Sequence, residues 1–277
     1  MIKIDSHQHF WTYDPVVHSW INEEMASIRH DFLPEHLALV YEENQVEGCI
    51  AVQAEHTSRE NDFLVEMSRK NEFIKGVVGW ADLQHPDVEA TLHQLAAIPV
   101  IKGIRHILQG EQQRDMMLQK SFMNGIKHLE KLGFTYDILV LSDQLQFIPA
   151  FASAFPNQRF VLDHIGKPGI KNGEIKRWKK DMERIAHQEN VYCKVSGLLT
   201  EANLQEWKKE DFTPYLDAVV EAFGMQRVMY GSDWPVCLAA GSYSAGLSVM
   251  KSYFSSFSTD EQELFFGKNA IGFYDLS

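Results

Sequence analysis

Cysteine is scarce in this chain. Only Cys49, Cys193 and Cys237 occur among 277 residues, and none forms a Cys-x-x-Cys pair. An odd, scattered set excludes a disulfide framework and predicts a reducing, cytoplasmic setting. Long apolar runs are missing, as is a basic segment leading into an apolar one at the start. Neither a membrane span nor a secretory leader is therefore expected. Positive charge also falls short: 26 Lys and Arg face 38 Asp and Glu, a formal net charge of -12. A surface of that sign repels phosphate backbones and anionic headgroups, which argues against nucleic-acid and membrane partners. A small-molecule partner remains, because one local Arg or Lys can hold a carboxylate. No Gly-x-Gly-x-x-Gly follows a strand-like run, so a dinucleotide fold has no support. No Pro/Gly/Ser-rich linker or charge block divides the chain, and residues 1–277 are expected to form a single domain.

What the sequence does hold is alternation. Eight segments rich in β-branched and apolar residues read as strands: 2–9, 48–55, 74–83, 100–107, 135–141, 159–164, 191–198 and 227–233. Several are nearly continuous apolar runs, as expected of parallel strands buried on both faces. Apolar residues recur at helical spacing between them. Pro34 opens one helix ahead of Leu37, Val40 and Tyr41. Thr57 with Glu60, and Thr259 with Gln262, predict capping boxes at the starts of two others. Strand then helix, eight times over, predicts an α/β fold, a single (β/α)8 TIM barrel. Three connections, 10–33, 108–120 and 199–213, are longer than a tight turn needs and are candidate lids and substrate walls.

In such a barrel the chemistry sits where strands end. The first strand runs into His7 and His9, two residues apart and so on one side, as are Asp5 and Trp11. Two converging imidazoles are half of a site for a divalent ion such as zinc. Six of the other strands end in Gln53 and Glu55, Trp80 and Asp82, Arg105 and His106, Asp163 and His164, Lys194 and Ser196, and Ser232 and Asp233. Asp233, next to the first strand once the barrel closes, can ligate a metal or activate a water. His164 can bind metal or polarise a carbonyl. By position, Glu55 is an extra candidate ligand. Arg105 and Lys167 are anchors for a carboxylate or polyol, and Trp11, Trp80 and Trp234 offer apolar faces to a sugar ring.

Three stretches, Asp5-Ser6-His7-Gln8-His9, Asp163-His164-Ile165-Gly166-Lys167-Pro168 and Tyr230-Gly231-Ser232-Asp233-Trp234-Pro235, resemble the amidohydrolase superfamily. They look most like its sugar-lactonase branch, as do Ile101 to Arg105, Lys194 to Leu198 and Gly267 to Tyr274. The resemblance covers essentially the whole chain. It implies a (β/α)8 barrel that hydrolyses a lactone of L-fuconolactone or L-rhamnonolactone type to the hydroxy acid. By motif, His7 and His9 match the strand-1 pair, His164 the strand-6 histidine and Asp233 the strand-8 acid. The strand-5 segment has no histidine, and strand 4 lacks the lysine that bridges two metals in binuclear members. The resemblance thus implies one divalent ion at most, zinc first. The branch includes members that work without metal, so metal-independent hydrolysis stays open. Two rivals stand beside the lactonase: a metal-dependent decarboxylase of the same superfamily, and a non-catalytic barrel that binds sugar acids. A homodimer is an open expectation.

Overall fold

The structure is a computed structural model and describes residues 1–276. Eight strands form one parallel sheet in sequential order: β1 (Ile4–Gln8), β2 (Gly48–Val52), β3 (Ile74–Gly79), β4 (Ile101–His106), β5 (Thr135–Ile138), β6 (Phe160–Leu162), β7 (Val191–Val195) and β8 (Val228–Tyr230). Each lies inside a segment that the apolar pattern marked. Nearly every strand residue is buried, because helices cover one face and the barrel lumen the other. The main helices are α1 (Pro34–Asn44), α2 (Ser58–Lys70), α3 (Val88–Ala96), α4 (Lys120–Leu132), α5 (Ile148–Ser153), α6 (Lys176–Ala186), α7 (Leu198–Glu201), α8 (Lys209–Phe223), α9 (Tyr243–Phe254), α10 (Thr259–Glu263) and α11 (Asn269–Tyr274). The sheet curls back on itself just past β8. Asp233 N donates to His7 O at 2.8 Å, and His9 N donates to Trp234 O at 2.7 Å. Closure therefore sets Asp233 beside the two histidines of the first strand.

The strands are shorter than the apolar pattern suggests, and the polar residues mostly stand just beyond them. His164, Ile165, Lys167 and Asp233 have left-handed backbones, with φ of 54°, 47°, 49° and 58°. Non-glycine residues rarely adopt this conformation, and they cluster where function fixes a side chain's direction. Here it ends the ladder and aims His164 and Asp233 across the barrel mouth.

Local details differ from expectation. The register of β1 against β2 shifts between Asp5 and Gln8. Such a bulge breaks the two-residue alternation. Asp5 consequently does not join the His7 imidazole, although its carboxylate accepts from His7 N at 3.3 Å. It accepts from Tyr41 Oη at 3.0 Å and from Ser232 N at 2.8 Å. Thr57 caps α2, but the Glu60 carboxylate accepts from Ala54 N and Glu55 N instead of completing a box. The box at α10 is one residue earlier than expected, Ser258 with Glu261.

The lumen is apolar at one end. Ile4, Ile50, Val52, Val78, Val161 and Met229 fill it, and Ala270, Phe273 and Tyr274 of α11 pack against them. Among the described residues no helix is long and apolar enough to cross a membrane.

Candidate active site

Three strand ends bring four ligand-type side chains together. His7 comes from β1, His9 directly follows it, His164 follows β6 and Asp233 follows β8. His7 Nε2 and His9 Nε2 are 3.2 Å apart. Asp233 Oδ1 lies 3.5 Å from His9 Nε2 and 3.9 Å from both His7 Nε2 and His164 Nε2. Ligand atoms of His7, His164 and Asp233 all lie within 4.8 Å of one another.

Partners behind the rings assign their protons. His9 Nδ1 donates to Val52 O at 2.7 Å. His7 Nδ1 donates to Asp163 Oδ1 at 3.2 Å. Lys194 Nζ is 3.3 Å from the same Nδ1, but Arg105 Nη1, which can only donate, faces Nε2 at 3.2 Å and so leaves the ring proton on Nδ1. The Nε2 lone pairs of the two rings then face one another, and that of His7 also accepts from Arg105 Nη1. Metal-binding histidines are held in this way, with the second nitrogen on a carbonyl or carboxylate. Tetrahedral bonds of 2.0–2.1 Å would separate ligand atoms by about 3.3 Å. The residues therefore fit a single divalent ion. Among the described residues no second set of such ligands accompanies them.

Beneath the cluster lies a layer of buried charge. Arg105 Nη1 donates to Asp163 Oδ2 at 3.0 Å and to His7 Nε2 at 3.2 Å. Arg105 Nη2 donates to the carbonyl and the side chain of Gln53. Lys194 bridges Asp137 and Asp163, and Tyr274 Oη donates to Asp137 Oδ2 at 2.8 Å. Two cations face two carboxylates, which is how charges persist out of water. Asp137 is absent from the candidates drawn from the strand ends, and Lys194 carries no assigned role there. A faint signal exists: each is a charged residue inside an otherwise apolar strand.

Burial pushes the imidazoles of His7, His9 and His164 down, His7 and His164 well down, and so favours their neutral forms. For Asp163, burial opposes ionisation, but Lys194, His7 and Arg105 overcome it and hold the carboxyl well below the usual range. Burial also works against the Asp233 carboxylate; His164, His9 and Lys167 outweigh it and keep its pKa below normal. A neutral imidazole cluster thus surrounds an anionic Asp233.

A cavity of about 340 Å³ opens above, within the range of small-molecule sites. His9, Arg105, His164, Lys167 and Asp233 line it. Each long connection adds to its wall: Trp20 and Met25 from the first, Gln109 and Gly110 from the second, Thr200 and Glu201 from the third. Lys167 Nζ is 3.4 Å from Glu201 Oε1. Burial, only partly offset by Lys167, raises the Glu201 pKa.

Three expected site residues stand elsewhere. Glu55 does not reach the cluster. It accepts from Thr57 Oγ1 at 3.4 Å, lies 3.9 Å from His18 Nε2 and lines a separate cavity of about 390 Å³. Trp11 lines that second cavity too, and its indole donates to His30 O at 2.9 Å. Its backbone pairs with Phe32, which turns it out of line with His7 and His9. Trp234 is buried against Phe10 and Phe32 and lines neither cavity. The aromatic wall comes instead from Trp20. Nothing in the sequence distinguished it from its neighbours, because the path of the 10–33 connection decides which indole faces inward.

The chain has close relatives. It is 34% identical to an L-fucono-1,5-lactonase of Burkholderia multivorans, over 99% of this chain and 96% of that protein. An L-fucono-1,5-lactonase of Burkholderia ambifaria is 33% identical, again over 99% of this chain and 96% of the relative. The crystal structure of an amidohydrolase from Burkholderia multivorans with bound zinc superposes with a TM-score of 0.95, at 35% identity and with both chains fully covered. The amidohydrolase family model matches residues 4–276. Motifs, barrel and relatives agree, and the chain belongs to the amidohydrolase family.

Proposed function

We propose that this protein is a lactonase that opens a sugar-acid lactone, of L-fuconolactone or L-rhamnonolactone type, to the aldonic acid. The whole chain acts as one barrel domain on a small molecule, in the cytoplasm. One observation carries the reading: the Asp233 carboxylate stands 3.5–3.9 Å from three imidazoles on the wall of a cavity that also presents Lys167. Full-length relatives named as L-fucono-1,5-lactonases support the substrate class.

Lactone hydrolysis needs an activated water, a stabilised oxyanion and a proton for the departing alkoxide. Asp233 takes the proton from water as it attacks the carbonyl, then returns it to the leaving oxygen. His164, with Ser196 Oγ at 2.9 Å on its Nδ1, is held to face that carbonyl. Lys167 and the fixed charge of Arg105 favour the developing anion. Glu201 accepts hydroxyls of the sugar. His7, His9, His164 and Asp233 would hold one divalent ion, zinc first, which when bound polarises a carbonyl and acidifies water.

Proton release on a panel of aldonolactones (fucono, rhamnono, galactono, arabinono) tests the reading, before and after chelation. Turnover of at least one is expected. Absence of turnover in both states, with carbon dioxide released from an aromatic acid, would replace the lactonase with a decarboxylase.

A further inference from the structure

Arg105 enters the imidazole cluster from β4, and it is pinned there. Its Nη1 serves Asp163 and His7, and its Nη2 serves two acceptors of Gln53. Four of its five N–H donors are engaged, and the fifth, on Nε, is buried without a partner. The residue is 2% exposed. A guanidinium cannot shed its charge in a protein. Withdrawing it would strand the Asp163 carboxylate with one cation fewer and deprive two Gln53 acceptors of their donor. The position of Arg105 is therefore built by its own anchors and does not depend on what else the cavity holds.

His7 has a single lone pair to give. Its Nδ1 proton goes to Asp163, so Nε2 is the acceptor, and Arg105 Nη1 donates to it at 3.2 Å. A gap of that length holds one hydrogen bond. A zinc bonded to the same nitrogen at about 2.0–2.1 Å would stand against a fixed positive charge with no water between. His9, His164 and Asp233 are not contested in this way.

We propose that Arg105 is the resident cation of this site and competes with a divalent ion for the Nε2 lone pair of His7. The guanidinium supplies by construction the positive charge that an ion would otherwise bring. An ion consequently binds the wild-type protein weakly. Removing the guanidinium should turn the cluster into a tighter metal site, contrary to the usual result of deleting a buried group beside metal ligands.

Zinc affinity of the stripped, full-length protein, measured by competition with a chromophoric chelator, tests this. Arg105→Met removes the competitor. Arg105→Gln removes the charge while keeping an amide donor for Asp163, and serves where the first variant does not fold. The folded variant is expected to bind zinc on the order of 10–100-fold more tightly than wild type, the span that groups behind metal ligands usually control. Equal or weaker binding in a folded variant overturns the proposal. No substrate enters this measurement, so its failure is distinguishable from failure of the lactonase reading.

Discussion

The barrel lumen has two ends of opposite character, built on the same strands. Val161 belongs to the apolar end and Asp163, two residues on, to the ionic end. Thr135 precedes Asp137 and Tyr192 precedes Lys194 at the same interval. A strand turns every second side chain to one face, so a two-residue step keeps the direction and moves only along the barrel axis. The apolar end is held by burial, which is non-directional and roughly additive. The ionic end is held by mutual compensation: Arg105, Asp137, Asp163, Lys194 and His7 each satisfy another. One end tolerates small changes in shape. The other loses its balance when any member leaves.

Substitutions should separate the two. Lys194→Met removes the ammonium that joins Asp137 to Asp163 and leaves buried charge uncompensated. It should destabilise by about 3–5 kcal/mol in urea denaturation. Adding Asp137→Asn should restore part of that, because one orphaned charge disappears with it. Ile50→Val at the apolar end removes one methylene, should lose only about 0.5–1.5 kcal/mol, and should leave kcat/KM unchanged. Equal losses at the two positions would erase the distinction.

The smallest effect concerns the rim. His56 stacks on His106 at 4.4 Å and accepts from Ile107 N at 2.9 Å. Burial first, then the neighbouring His106, lowers its pKa to about 4. The unfolded chain, with an ordinary imidazole near 6.5, then binds more protons between these two values. The contribution of His56 is present above pH 6.5 and is lost as pH falls from 6.5 towards 4. In His56→Gln the drop in Tm between pH 7 and pH 5 should be smaller than in wild type. An unchanged drop would remove His56 from the acid response.

Much of this was legible in the sequence, for physical reasons. Eight apolar runs alternating with helical stripes leave few ways to bury both faces of a sheet, so the barrel followed. His7, His9 and Asp233 could be read as one group because closure makes the first and last strands neighbours; His164, after the sixth strand, was placed by its motif. What failed to be legible was direction and pairing. The bulge after Asp5 reversed its side chain, and no residue type announces a bulge. Trp11 and Trp234 are aromatic residues near strand ends, yet they fill the space beneath the 10–33 connection while Trp20 faces the cavity. The bonds of Lys194 to Asp137 and Asp163 join strands five, six and seven through side chains. That compensation exists only once the barrel has fixed their heights.

The central proposal is that Asp233 takes the proton from water. The direct test is kcat for proton release from the best lactone of the panel, with wild type and Asp233→Asn side by side at matched folding. The substitution keeps shape and removes the base. A fall of at least about 10²–10⁴-fold is predicted, the usual worth of acid–base catalysis. Turnover close to wild type in folded Asp233→Asn would contradict the account.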